Sequence, residues 1–253
     1  MWTPDVYQGA PTPVVNFMSV GVKVAGFTAL FRLISLVLLP SSSVFPAIIF
    51  GLSALTMIVG NIMAVVQTNM KRMLAFSGVA GAGYLLMVLI PTQILPNGLS
   101  PEQAFIFYLV AYALSNFAAW SVVIMLEQTD AKGLEIADYA GLGRKYPWLG
   151  LITLAAMLSL AGVPLTLGFW GKFYLFQYVI EAGYWPLALI GLITSVIAAV
   201  YYLRILVVMF MQPGEPVIRK NFWLGLIAAV SAVAVLVLAF IPGILQTLLW
   251  GWQ

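Results

Sequence analysis

The sequence predicts an all-α integral membrane protein with about seven spanning helices, one of them broken near mid-membrane. Three observations predict it. Hydrophobic residues make up 63% of the 253 residues and charged residues only 8%, whereas soluble domains carry roughly a quarter charged residues. Mean hydropathy is +1.05. The apolar runs reach the ~20 residues that a helix needs to cross a hydrocarbon core.

What is missing narrows the chemistry. The chain has no cysteine, which removes disulfides, iron–sulfur ligation and thiolate metal sites. It has no histidine either, and so lacks the commonest metal ligand and the usual neutral-pH proton shuttle. No cleavable signal peptide is expected, because Asp5 and prolines at 4, 11 and 13 interrupt the start and no Lys or Arg precedes Lys23.

Seven segments follow in order. Segment A covers 14–38, B 46–67, C 73–90 and D 104–126. Segment E covers 148–180, F 185–211 and G 222–249. The connections read as loops: Pro40 to Ser43, Pro91 to Pro101, the polar stretch 128–147, and Gln212 to Pro216. Trp148, Trp185, Trp223 and Trp250 stand near segment ends, as an interfacial aromatic belt requires. The B–C, D–E and F–G connections hold Lys71, Arg72, Lys132, Arg144, Lys145, Arg219 and Lys220, while the opposite connections hold no Lys or Arg. The positive-inside rule then puts the N-terminus of this chain in the cytoplasm, or its equivalent, and its C-terminus across the membrane.

Two segments depart from plain spans. Segment E contains Leu160-Ala-Gly-Val-Pro-Leu-Thr-Leu-Gly-Phe-Trp-Gly-Lys172. Pro164 removes a backbone donor, and Gly162, Gly168 and Gly171 loosen the chain around it. Such a break is tolerated at membrane depth only inside protein or beside a wet cavity, and breaks of this kind recur at ion sites of transporters. A simple proline kink is the alternative, and the three glycines and the lysine that follow weigh against it. Segment A carries Lys23 about ten residues inside its start, which is ~15 Å deep at ~1.5 Å per residue. An ammonium there costs ~3 kcal/mol even on lenient insertion scales, and the depth works against snorkelling. Gly21, Ala25 and Gly26 beside it suit close helix packing. Arg32, Arg204 and Glu181 lie closer to an interface, and topology alone accounts for Lys71 and Arg72.

The residues also carry a family resemblance. The run Trp2-Thr-Pro-Asp-Val-Tyr-Gln-Gly-Ala-Pro-Thr-Pro-Val14 resembles the motif of the subunit N family of proton-pumping NADH–quinone oxidoreductase, respiratory complex I. Lys23 and the Leu30-Phe-Arg32 pattern continue it, followed by Gly60-Asn61, Met70-Lys-Arg-Met-Leu-Ala-Phe-Ser77 and Gly83-Tyr84. Asp138-Tyr-Ala-Gly-Leu142 and Gly171-Lys172 complete the set, so the resemblance covers nearly the whole chain. It implies the second half of an antiporter-like inverted-repeat bundle. In that frame 1–38 holds the last helix of the first repeat, 46–211 the five-helix second repeat, and 222–253 a C-terminal transmembrane helix. The other helices of the first repeat, with their family glutamate and lysine, have no counterpart here. Met1 then corresponds to an internal position of a longer subunit, which makes the chain a C-terminal fragment, a split-gene product or the result of a misplaced start.

The resemblance further implies that Lys172 and Lys23 transfer protons and are joined laterally through ordered water. Tyr108, Tyr112, Ser115, Asn116 and Thr166 are candidates to hold that water. A lysine held between desolvation and a compensating carboxylate or water file can take up and release a proton as its surroundings change. No cofactor or metal is expected on this chain; NADH, flavin, iron–sulfur clusters and quinone belong to the parent complex. The expected partners are other complex I membrane subunits, the lipid bilayer, and the missing N-terminal half or a separate chain supplying it, with no nucleic acid. Two competing readings stand beside this one: a subunit of a cation/proton antiporter or membrane-bound hydrogenase, and a non-conducting fragment.

Overall fold

The computed structural model describes residues 2–34, 36, 44–90, 100–128 and 132–243. The expected Pro40 to Ser43 loop, most of the 91–101 loop, and the end of segment G with Trp250 lie outside the described residues. Eleven α-helices are formed among those described. They are α1 Trp2–Gly9, α2 Thr12–Phe17, α3 Lys23–Leu33, α4 Phe45–Val65, α5 Met70–Met87 and α6 Pro101–Leu126. After them come α7 Leu142–Lys145, α8 Pro147–Ala161, α9 Leu167–Glu181, α10 Trp185–Met211 and α11 Phe222–Phe240. No extended strand occurs among the described residues; helices bond their main chain internally, as lipid exposure demands of each main-chain polar group.

Among the described residues, five stretches are long and apolar enough to cross a membrane: Thr12–Leu33, Phe45–Val65, Pro101–Leu126, Trp185–Met211 and Phe222–Phe240. Segment C forms α5, an 18-residue helix, and segment E forms α8 and α9 of 15 residues each. At ~1.5 Å per residue neither half of E crosses a ~30 Å core alone.

Three differences from the sequence reading have local causes. Segments C and D begin three residues early because their polar first turns are capped, which a hydropathy reading does not register. Asn69 accepts from the amides of Lys71 and Arg72 at the start of α5. Ser100 and Gln103 form a reciprocal capping box at α6, with Pro101 in the first turn. The stretch before segment A is also helical: α1 carries Pro4 and Asp5 in its first turn, both suited to a helix N-terminus.

The middle of the bundle is α5 and α6, each buried along most of its length. Helix α4 packs on α5, α9 and α11 pack on α6, and α10 packs on α4. The outer faces of α4, α10 and α11 present exposed Leu, Ile and Val side chains, the covering that lipid favours. Close approach of α4 and α5 depends on glycine. A Cβ on Gly60 would lie 2.6 Å from the Ala80 amide nitrogen, and one on Gly83 would lie 2.8 Å from the Met57 amide nitrogen.

The B–C, D–E and F–G connections meet in one layer at one end of the bundle. The Met70 amide donates to Leu134 O at 2.7 Å, Ile136 N to Thr68 O at 2.8 Å and Arg219 N to Met125 O at 2.8 Å. Gly141, in the left-handed region with φ +74°, packs on Gly214, whose carbonyl oxygen would sit 2.3 Å from a Cβ. Asp138 accepts from the amides of Gly133 and Glu135 at 2.8 and 3.1 Å. The connections grouped by charge therefore share a face in space.

Lys71 and Arg72 do more than mark topology. Lys71 is only 2% exposed; it donates to Ala10 O at 2.8 Å and sits 3.5 Å from the Glu127 carboxylate. Arg72 donates to Asp5 at 2.7 Å and to Gln8 at 2.8 Å. Together they fasten α1 and the α1–α2 link to the start of α5. Arg204 donates to the carbonyls of Val65 and Gln67, closing the C-terminal end of α4. Glu181 accepts from Gln177 one turn earlier.

Replacing Gly60 with valine forces α4 and α5 apart and is expected to cost about 1–3 kcal/mol, the usual penalty of overpacking. A lowered unfolding midpoint in detergent checks this, and an unchanged midpoint would show that the interface yields freely.

Candidate functional site

Segment E is interrupted over residues 162–166. Helix α8 ends at Gly162, which adopts φ 85° and ψ 36°, and the amides of Gly162 and Val163 both return to Leu158 O at 3.0 Å. Pro164 follows, then Leu165 with φ +74°, a backbone state that costs a bulky residue strain. Thr166 is extended and α9 begins at Leu167. The freed main-chain groups are rebonded by side chains. Ser159 Oγ accepts from Gly168 N at 3.0 Å and pairs with Ser115 Oγ at 2.7 Å, while Ser115 donates to Ala111 O at 2.7 Å. Gly168 must lack a side chain because a Cβ there would lie 1.9 Å from Ser159 O. At Gly171 the pressure is milder, with Ala111 and Tyr108 atoms 3.3 Å from such a Cβ.

The interruption positions Lys172. This side chain is 6% exposed and folds back along Gly162, whose ideal Cβ would be 2.9 Å from Lys172 Cδ. Its ammonium donates to the carbonyl of Ala161, the last residue of α8, at 2.9 Å. That end of a helix carries partial negative charge and favours a cation. The same ammonium stands 5.1 Å from the centroid of the Tyr84 ring.

Lys23 reaches the bundle from the other side. A π-helical turn at Met18–Val22 immediately precedes it, a local widening often found at functional positions. Helix α3 keeps none of its residues fully buried, yet Lys23 turns inward. It donates to Gly78 O and to the Tyr112 hydroxyl, both at 2.7 Å, with its ammonium 4.2 Å from the Tyr112 ring centroid. The bare surface of Gly78 admits it: a Cβ there would sit 3.3 Å from Lys23 Nζ. Neither lysine forms an ion pair among the described residues.

Between them lies a narrow cavity of about 20 Å³, room for a single water. Tyr112 and Lys172 both line it, along with Tyr84, Tyr108, Asn61 and Ser77. Tyr112 thus touches Lys23 with its hydroxyl and faces the cavity that Lys172 also faces. Helix α10 adds Tyr201 and Tyr202 to the wall. Tyr201 donates to Asn61 Oδ1 at 3.0 Å, and the hydroxyls of Tyr202 and Ser77 share a short hydrogen bond. Beyond Tyr84, its hydroxyl meets Ser195 at 3.0 Å and Thr194 at 3.2 Å.

Of the candidates on segments D and E, Tyr108 and Tyr112 line the cavity. Ser115 braces the helix interruption through Ser159. Asn116 donates to Tyr112 O at 2.8 Å and Thr166 to Val163 O at 2.6 Å, so each bonds main chain in its own segment. Tyr84, Tyr201, Tyr202, Asn61 and Ser77 were not among the candidates. A Tyr-Tyr pair two residues before Arg204 in an otherwise apolar span was the available signal for two of them. Among the described residues, no group of three His, Cys, Asp or Glu side chains is placed to hold a metal.

Residues 1–198 match the family described as NADH:quinone oxidoreductase/Mrp antiporter, TM. The chain belongs to that family. It is 42% identical over 244 residues to NADH-quinone oxidoreductase subunit N of Bdellovibrio bacteriovorus, covering 96% of this chain and 50% of that protein. It is 44% identical over 244 residues to the subunit of the same name from Chloroflexus aggregans, covering 96% and 49%. A chain in the structure of respiratory complex I from Thermus thermophilus with bound aureothin superposes with a TM-score of 0.82 at 38% identity, covering 96% of this chain and 52% of that one. The chain therefore spans about half the length of the curated relatives it matches. The antiporter-family fold is the one the sequence predicts, including the interrupted helix.

Gly162→Ala places a Cβ in the left-handed region and against Lys172, and is expected to cost about 1–2 kcal/mol. Ser159→Ala leaves the Gly168 amide without its acceptor and should cost about 1–3 kcal/mol. Thermal unfolding of each purified variant measures both, and a neutral Ser159→Ala would mean that the interruption is satisfied some other way.

Proposed function

We propose that this chain acts as part of a subunit N in the membrane arm of a proton-translocating NADH–quinone oxidoreductase, carrying H⁺ between Lys23 and Lys172. The observation that carries this reading is Tyr112, whose hydroxyl accepts from Lys23 and which lines the same cavity as Lys172. The relatives named subunit N support the assignment to that enzyme.

The transfer needs few parts. A charged Lys23 donates to the Tyr112 oxygen. As the lysine proton moves onto that oxygen, the hydroxyl proton leaves toward the cavity, where one water passes a proton to an uncharged Lys172. Charge moves from one lysine to the other, and each oxygen ends with the protons it began with. The wall favours H⁺ over a metal cation, because its residues offer hydroxyls, an amide and an ammonium but no carboxylate. Asn116, Ser115 and Thr166 act by holding the helices that carry this path. Gly162, Pro164, Gly168 and Gly171 shape the interruption that brings Lys172 to it.

Redox chemistry belongs to other subunits in this reading, with NADH, flavin, iron–sulfur clusters and quinone bound there. Residues 1–38 correspond to the end of a first repeat, 46–211 to a five-helix second repeat, and 222–253 to a terminal helix. The basic layer of B–C, D–E and F–G connections faces the cytoplasm of a bacterial plasma membrane, by the positive-inside rule. Other membrane-arm subunits, and a segment or chain supplying the remaining half, complete the assembly.

Arginine separates proton transfer from mere positive charge, since a guanidinium does not release its proton. In the assembled complex reconstituted into vesicles, Lys23→Arg and Lys172→Arg are expected to lower NADH-driven proton uptake as far as the alanine variants do. Tyr112→Phe should lower it about tenfold or more with the complex still assembled. Normal pumping by both arginine variants would sink the reading.

A further inference from the structure

Where the loop layer meets the apolar shell, α8 and α11 begin side by side and leave a groove of about 560 Å³. Leu149 is buried against it, while Trp148 and Phe222 stand exposed along it. Lys145 and Lys220 supply two positive charges. Lys145 is paired with Glu215 at 2.5 Å, and the carboxylate holds its ammonium above the ordinary lysine value. Lys220 forms no ion pair among the described residues. The start of α8 adds to the positive field, because Tyr146 at its N-cap makes no side-chain capping bond. Gly225 opens the groove further, with nothing within 4 Å of where its Cβ would be.

The groove is amphipathic in a particular order. Cationic side chains lie on the loop side, a tryptophan stands at the level of the first helical turn, and apolar side chains follow toward the bundle. A free anion would satisfy the lysines and leave the apolar wall bare. A neutral lipid would cover the wall and leave the lysines unmatched. We propose that this groove binds an anionic phospholipid of the bilayer, with its phosphate on Lys145 and Lys220 and an acyl chain along Leu149 and Phe222. The Glu215 carboxylate then competes with the phosphate for Lys145. This site lies apart from the lysine-to-lysine path and does not depend on it.

The test uses the chain in its assembled membrane complex, reconstituted into nanodiscs. They contain phosphatidylglycerol or phosphatidylcholine bearing a photoactivatable group on one acyl chain, and cross-links are mapped to peptides containing Leu149 and Gly225. Labelling by phosphatidylglycerol is expected to exceed that by phosphatidylcholine roughly tenfold, the scale set by two lysines near a membrane surface. The K145Q/K220Q double variant should remove the preference. E215Q should strengthen the labelling, whereas a purely structural Lys145–Glu215 pair predicts that E215Q and K145Q weaken it alike. Gly225→Trp fills the groove with both lysines intact and should abolish labelling by either lipid. Equal labelling by the two lipids, loss of labelling in E215Q, or displacement by excess inorganic phosphate would each overturn the proposal.

Discussion

A main chain in hydrocarbon has no water to bond, so any interruption of a helix has to be repaired by the protein itself. Segment E obeys that constraint at residues 162–166, and much of the interior is arranged around the repair. Ser159 takes the Gly168 amide, Ser115 reaches across from α6 to hold Ser159, and Lys172 takes the terminal carbonyl of α8. The glycines are there because the repair is tight, and α6 is drawn close because it supplies one of the repairing groups. The cavity lies beside this place, walled by α4, α5, α6, α8, α9 and α10.

The other lysine illustrates a different economy. Helix α3 buries none of its residues fully, yet it sends one cation inward onto a glycine carbonyl and a tyrosine hydroxyl. A buried ammonium needs oxygen partners, and two neutral ones stand at hydrogen-bond distance here. At the opposite extreme, Lys71 is buried against one carbonyl and one carboxylate in the loop layer, where it fastens α1. The two lysines thus do separate work, Lys23 facing a hydroxyl-lined interior and Lys71 tying a terminus.

The spans were legible in the sequence because lipid demands long apolar helices, and segment F matches its helix residue for residue at 185–211. The interruption was legible too, since Pro164 among glycines leaves few alternatives. Both principal lysines stood out because an ammonium deep in an apolar run is costly. Convergence was not legible. Asn61, Ser77, Tyr84, Tyr201 and Tyr202 come from three helices and meet only when the bundle packs, and no spacing within one helix records that. Polarity alone also overreached: Asn116 and Thr166 looked like wall residues but spend their donors on nearby carbonyls. Helix α1 was hidden for another reason: it is short, and it is held by Arg72 contacts from α5 and by Tyr7 packed edge-on against Trp120 rather than by a long apolar stripe.

Lys172 and the end of α8 form a small electromechanical element. The attraction between a helix carboxyl end and an ammonium, about 0.3–2 kcal/mol by its exposure, exists only while the lysine is charged. The ammonium bonded to Ala161 O therefore holds the two half-helices together across the interruption. Trp170, one turn along α9 on the way from that joint, is hydrogen-bonded to Ala239 near the end of α11. Two side chains within one turn of α9 thereby tie the end of α8 to the end of α11, so a shift of any of these three helices is borne by two hydrogen bonds to main-chain carbonyls.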